Sequence, residues 1–322
     1  MIEYAAFALI AYAVSLTLTK LLIPRLKRAG IVGRDENKSG APEIPEMGGL
    51  SIVAGFSAGL LLAIFFGSFM GFHLNLVYVL AAVITIHTIA FIGVVDDLLS
   101  IPQWLKAVAP LFAAVPLVAV KAAGSTAIAL PLLGIVDFGI IYMLVLVPLA
   151  IAVCSNLTNM LAGFNGMEAG MGVIMFTALS AIALSHGNTE MAILSVSMLG
   201  ALLGFLAFNI YPAKVFPGDV GTLTIGVVLA SAVIIGNLES AGVILMAPYI
   251  IEFFVKAANR FPHTHQEIKN SGLLYPKDGR VRGLVHVVMR AAGGISEKNL
   301  VYVFLSVEAF CALIALAMYF RI

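Results

Sequence analysis

The chain has 322 residues, 61% of them hydrophobic and 11% charged, with a mean hydropathy of +1.06 and a formal net charge of only +1. Soluble domains carry about 25% charged and 45–50% apolar residues, and here the apolar excess runs the whole length, which excludes a soluble domain with one anchor. The small net charge gives no argument for nucleic acid, and the two cysteines, Cys154 and Cys311, lie far apart in apolar runs, suggesting neither a disulfide framework nor a cysteine metal site.

Ten apolar runs of roughly 20 residues, enough to cross a bilayer, fall near 3–24, 48–70, 74–95, 103–122, 137–155, 167–185, 190–209, 220–236, 240–259 and 299–320. The expected fold is all-α: a polytopic membrane protein of about ten transmembrane helices, formed by 1–322 as one integral membrane domain. The first run is too long for the core of a signal peptide and lacks a basic leader, so it is read as a retained span. Sixteen of the 18 Lys and Arg residues fall on one side of this arrangement, leaving Lys121 and Arg321 on the other. Positive charge marks the cytoplasmic side, so both termini face out and the cytoplasmic loops carry the site. The longest polar insertion, from about 260 to 298, contains "LLYPKDGRVRGLV", read as a small β-hairpin near 273–285.

In chain order, "DENKSGAPEIPEMGG" supplies Lys38 and a Gly48-Gly49 pair that suggests tight backbone approach at the start of the second span. "FIGVVDDLLS" ends the third span with Asp96 and Asp97. A carboxylate at membrane depth is costly unless paired, metal-bound or hydrated, and neighbours on a helix point about 100° apart, so these two should have different tasks. Lys106 in "QWLKAVAP" either snorkels to headgroups or holds a phosphate. In "NLTNMLAGFNGMEAG", Asn156 and Asn159 share a helix face, and Gly163 and Gly166 permit a helix end. "FPGD" places Asp219 at the N-cap of the eighth span. Taken together, acidic and amide groups converging on one face fit a Mg²⁺ site, since Mg²⁺ takes few protein oxygens and leaves the rest to phosphates and water. His263 and His265 in "NRFPHTHQE" lack further ligands at zinc spacing and fit donors to an anion better.

In this order, "IPEMGG", "DDLLS", "NLTNMLAGFNGMEAG", "FPGD" and the late histidine loop resemble the polyprenyl-phosphate N-acetylhexosamine-1-phosphate transferases, over nearly the whole chain. The eukaryotic and archaeal dolichyl-phosphate branch is the better match, and the compact chain points to an archaeal member. The resemblance implies an enzyme in which a lipid phosphate attacks the β-phosphorus of UDP-GlcNAc, or of another UDP-N-acetylhexosamine, and releases UMP. Mg²⁺ is then the cofactor, with Mn²⁺ able to substitute. The expected partners are UDP-GlcNAc, a polyprenyl or dolichyl phosphate and the lipid bilayer, with homodimers occurring in the family. Residue by residue, it implies metal ligands at Asp219 and Asn159 and catalytic roles for Asp96, Asp97 and Lys106. It implies substrate contacts at Glu46, at Asn165 near the uracil, and at His263 and His265 near the pyrophosphate; Lys38 is taken as a further substrate contact. Ser100 stands where the acidic motif often has a third aspartate, and "HTH" replaces a run of three histidines, which disfavours a muramyl-pentapeptide substrate. The rival class, a secondary transporter, is disfavoured because no paired half-chain repeat is visible and the polar residues gather at one face rather than the midplane.

Overall fold

The computed structural model describes residues 1–121, 125–130, 134–262, 264–269 and 272–320. The architecture is a helical bundle with only small strand pairs. Among the described residues, nine helical segments are long and apolar enough to cross a membrane, and ten if a bent pair is counted as one span. They begin with α1 (Ile2–Arg28), α2 (Gly49–Phe69) and α3 (Leu76–Leu99). The fourth span is α4 (Gln103–Ala113) followed by α5 (Val115–Lys121). The fifth opens with the short α6 (Gly139–Ile141), passes through a π-helical turn at Tyr142–Leu146 and continues as α7 (Val147–Met160). Pro148 removes the N–H that Leu144 would accept, and the ladder opens by one residue. Then come α8 (Met167–Ser185), α9 (Thr189–Asn209) and α10 (Gly218–Gly236). A bent pair follows, α11 (Glu239–Leu245) and α12 (Ala247–Ala258), inclined at 63° across Met246, where Pro248 again lacks its donor.

Of these helices α10 is the most enclosed: 89% of its apolar window is buried, against 22% for α1. It packs on α2, α3, α7 and α9, so its small and β-branched residues meet protein on every side, while most of α1 stays uncovered by the rest of the chain. The observed spans follow the apolar runs closely, because a bilayer leaves the backbone no partner but itself.

Two details differ from the sequence reading. The hairpin expected near 273–285 lies earlier: β5 (Gln266–Ile268) pairs antiparallel with β6 (Leu274–Pro276), with Ile268 opposite Leu274. Residues 277–279 form a turn, and the chain enters α13 (Leu284–Ala291). Val285, His286 and Met289 recur at helical spacing and are buried, which draws the segment into a helix. The second difference concerns Asp219, described below. Two other hairpins went unread: β1 (Val32–Arg34) with β2 (Glu43–Pro45) at the end of the bundle where α3 finishes, and β3 (Ala127–Leu130) with β4 (Gly134–Asp137) at the opposite end. The last span is α14 (Glu297–Tyr319), capped by the Ser296 hydroxyl, which accepts from the Asn299 N–H.

Candidate active site

The C-terminal end of α3 meets the N-terminal end of α10, and the contact is made by a carboxylate. Asp97 accepts the backbone N–H groups of Asp219 (2.7 Å) and Val220 (3.1 Å). The expectation that Asp219 caps its own helix is therefore corrected: Pro217 holds the cap position without a side-chain bond, and the cap oxygens come from α3. An anion at the positive end of a helix satisfies two orphan donors at once. Gly218, at φ +66°, is required doubly, since a Cβ there would also lie 2.6 Å from Asp97 Oδ2. With Asp97 so engaged, the Asp219 side chain is released toward the neighbouring helices.

Asp96, one residue earlier, points elsewhere. Its Oδ2 lies 2.5 Å from the Lys106 ammonium, and its Oδ1 accepts the Ile101 N–H at 3.0 Å. Lys106 also pairs with Asp219, so one buried lysine bridges the ends of α3 and α10. The distinct tasks expected of the two aspartates follow from the helical angle between them. Pro110 removes the donor that the Lys106 carbonyl would meet within α4, and Asn156 on α7 donates to that carbonyl instead, at 3.3 Å. This amide holds α4, and with it Lys106, against α7.

Asn159, one turn beyond Asn156, lines a polar cavity of about 330 Å³ together with Asp219, Glu46, Phe216, Arg34 and Glu252. Glu46 is held above the ordinary glutamate range, first by burial and then by the charge of Asp97. The tight approach expected at Gly48-Gly49 is present. Their N–H groups donate to Phe216 O (2.9 Å) and Pro217 O (2.8 Å), fastening α2 to the turn that precedes Asp219.

Lys38 and Asn165 sit together in an adjoining network. Lys38 pairs with Asp35, Asn165 Oδ1 (2.7 Å) and Glu297 (3.2 Å). Asn165 also donates its N–H to Glu297 (2.9 Å) and accepts from the Ala213 N–H (2.7 Å). His265 stands beside Glu36, 4.0 Å away, flanked by the cavity-lining Thr264 and Gln266. His263 falls outside the described residues.

Sequence reading passed over Glu252. Buried on α12, it accepts the Leu284 N–H at the start of α13 and pairs with Lys256 (3.1 Å), which in turn donates to Met160 O (2.6 Å) at the end of α7. The signal was available: a Glu-Lys pair four apart inside an apolar helix. Asn37 was missed for a different reason, because its partners, Gly163 O (2.7 Å) and Gln266, are remote in sequence.

A second cavity, about 300 Å³ and almost wholly apolar, lies between α7 (Ala150, Cys154, Leu157), α10 (Leu229, Val233) and the bent pair (Met246, Ile250). Both α7 and α12 run from this apolar cavity into the wall of the polar one.

Among the described residues no three His, Cys, Asp or Glu side chains gather closely enough to hold a metal by themselves. Of the residues expected as metal ligands, Asp219 and Asn159 both line the polar cavity, while Asp97 is engaged on backbone donors. Two hard protein oxygens beside open space suit a cation that takes the rest of its shell from phosphate and water.

Residues 79–237, which contain Asp96, Asp97, Lys106, Asn159 and Asp219, match glycosyl transferase family 4. Over 316 residues the chain is 38% identical to a Saccharolobus solfataricus protein provisionally named UDP-N-acetylglucosamine–dolichyl-phosphate N-acetylglucosaminephosphotransferase, covering 95% of this chain and 94% of that one. A Dictyostelium discoideum protein of the same name, without the qualifier, is 27% identical over 92% of this chain and 84% of its own. The phospho-N-acetylmuramoyl-pentapeptide-transferase of Halalkalibacterium halodurans is 32% identical over 76% of this chain and 78% of its own. The chain belongs to glycosyl transferase family 4.

Proposed function

We propose that this chain transfers GlcNAc-1-phosphate from UDP-GlcNAc to a polyprenyl phosphate of the dolichyl type, at the cytoplasmic membrane face, in a Mg²⁺-dependent reaction that Mn²⁺ also supports. The reading rests on one observation: a polar and an apolar cavity share the walls α7 and α12 beside the Asp96–Lys106–Asp219 group. One water-soluble and one lipid substrate need such a pair of chambers meeting at one place. The names of the Saccharolobus and Dictyostelium relatives support the choice of sugar and lipid.

In the reaction, an oxygen of the lipid phosphate forms a bond to the β-phosphorus of UDP-GlcNAc, and the bond from that phosphorus to the UMP oxygen breaks. A phosphate monoester is already largely ionised near neutral pH, so the attacking oxygen needs little help from a base. What remains is positioning and charge neutralisation. Asp219 and Asn159 would hold the divalent cation, which when bound neutralises phosphate charge. Lys106, oriented by Asp96 and steadied through Asn156, would present a second positive group at the same place once the cation takes Asp219 from it. Asp97 fixes the start of α10 and so the position of Asp219. Glu46, Asn165, Lys38, His263 and His265 are assigned to substrate contacts. For Lys38 and Asn165 this requires exchange of the protein partners they now hold.

Purified protein in detergent with UDP-GlcNAc, a polyprenyl phosphate and Mg²⁺ should release UMP, and a chelator should stop it. Release with a different UDP-N-acetylhexosamine but not with UDP-GlcNAc would move the sugar assignment. No release with any of them would sink the reading.

A further inference from the structure

The polar cavity is lined by Asp35, Glu36, Glu46, Glu168, Asp219 and Glu252, an acidic surround for a substrate that carries a diphosphate. Three lysines stand around it, and each is committed to protein acceptors. Lys38 serves Asp35, Asn165 and Glu297; Lys106 serves Asp96 and Asp219; Lys256 serves Glu252 and the Met160 carbonyl. Arg34 differs. It lines the cavity, its side chain is exposed, and among the described residues no carboxylate lies within ion-pair distance of it.

We infer that Arg34 binds the phosphate of the donor nucleotide. The inference rests on reading the polar cavity as the nucleotide-sugar site. The backbone beneath Arg34 is held firmly: it ends β1 opposite Glu43, and Asp35 next to it is buried, with its N–H bonded to Pro42 O at 3.0 Å. A fixed root with an unengaged guanidinium suits a ligand that arrives from solution. The planar fork matches two phosphate oxygens at once, which an ammonium cannot do. The paired lysines and carboxylates cancel one another, so among the described residues that line the cavity Arg34 is the cation left to meet an entering anion.

The same chemistry would fit the lipid phosphate, so the test separates the two. Binding of UMP and of uridine to the full-length protein in detergent would be measured by calorimetry for wild type, Arg34→Ala and Arg34→Lys. KM for polyprenyl phosphate would be measured alongside. Arg34→Ala should weaken UMP about tenfold or more, as expected for loss of a hydrogen bond to a charged group. Uridine affinity and the lipid KM should stay at wild-type values, with Arg34→Lys between the two. Equal weakening of uridine, unchanged UMP binding, or a rise confined to the lipid KM would each overturn the inference. Failure of the wild-type protein to bind UMP would instead overturn the nucleotide reading on which it rests.

Discussion

Asp97 at the end of α3 and Asp219 at the start of α10 serve different partners, and their substitutions should fail differently. Asp219→Ala removes the one carboxylate that faces both Lys106 and the polar cavity. Turnover should fall by about 10²-fold or more, with the Mg²⁺ requirement raised, as read by UMP release against metal concentration. Asp97→Ala instead uncaps α10, and substitution of a capping group costs about 1 kcal/mol or more. It should lower the thermal midpoint as well as the rate, whereas Asp219→Ala should leave the midpoint near wild type. Equal thermal loss in both would contradict the division of labour. Glu46 gives a pH-dependent case. Burial and the charge of Asp97 raise its pKa in the folded state, so folding favours the protonated form. Below the ordinary glutamate range it is protonated folded or unfolded and has no effect on stability. As pH rises through the raised folded value, the folded protein must carry a disfavoured charge and stability is lost. Glu46→Gln should therefore unfold at a higher temperature than wild type at about pH 8, with the gain vanishing towards about pH 4. At this scale the residues themselves were legible: carboxylates and amides inside apolar sequence stand out because hydrocarbon gives them no partner. Their pairing was not. Asp97 reaches a helix 122 positions away, and the sequence offers no sign that the cap of α10 comes from there rather than from Asp219.

Helices were legible from hydropathy because each must satisfy its own backbone in the membrane; their breaks were partly so. Pro110, Pro148 and Pro248 could be counted, but only packing tells which of them bends a span. At Pro110 the orphaned Lys106 carbonyl is met by Asn156; at Pro248 the helix turns by 63°. The hairpin beginning at β5 was displaced in the reading because alternation in "LLYPKDGRVRGLV" competes with the helical spacing of Val285 and Met289. Where two helices touch through glycine, the sequence gives a usable sign. Gly49 opens α2 against the first turn of α10, and a Cβ there would lie 2.6 Å from Pro217 O and closer still to the Gly221 backbone. Backbone cannot move aside as a flexible side chain does. Gly49→Ala should push the start of α10 away from α2, at a cost of about 1–3 kcal/mol for overpacking. Because Asp219 rides on that turn, the rate per folded molecule should fall along with the thermal midpoint. A variant that is less stable but fully active would show that the contact serves folding alone.

At the level of the whole molecule, the ends of the bundle differ in charge and in chemistry. Helices α1, α3, α7, α9 and α12 finish, and α2, α4, α8, α10 and α14 begin, at the end that holds the polar cavity. That end carries almost all the basic residues, whereas the opposite end has the β3–β4 hairpin and Lys121, which is buried and bonded to Asn237. A lysine so enclosed contributes nothing to the charge of an exposed loop, and the asymmetry between the two faces is sharper than residue counts suggest. The proposed orientation, with positive loops retained in the cytoplasm, puts the polar cavity inside, where it would meet a soluble nucleotide sugar, and the β3–β4 hairpin outside. Ser125 and Glu267 are both exposed and lie at opposite ends. In a background with Cys154 and Cys311 replaced, Ser125→Cys should react with a membrane-impermeant maleimide on intact cells. Glu267→Cys should react only after the membrane is opened. The reverse pattern would turn the molecule over, put the cavity on the wrong side for a cytoplasmic donor, and leave the proposed reaction without its substrate.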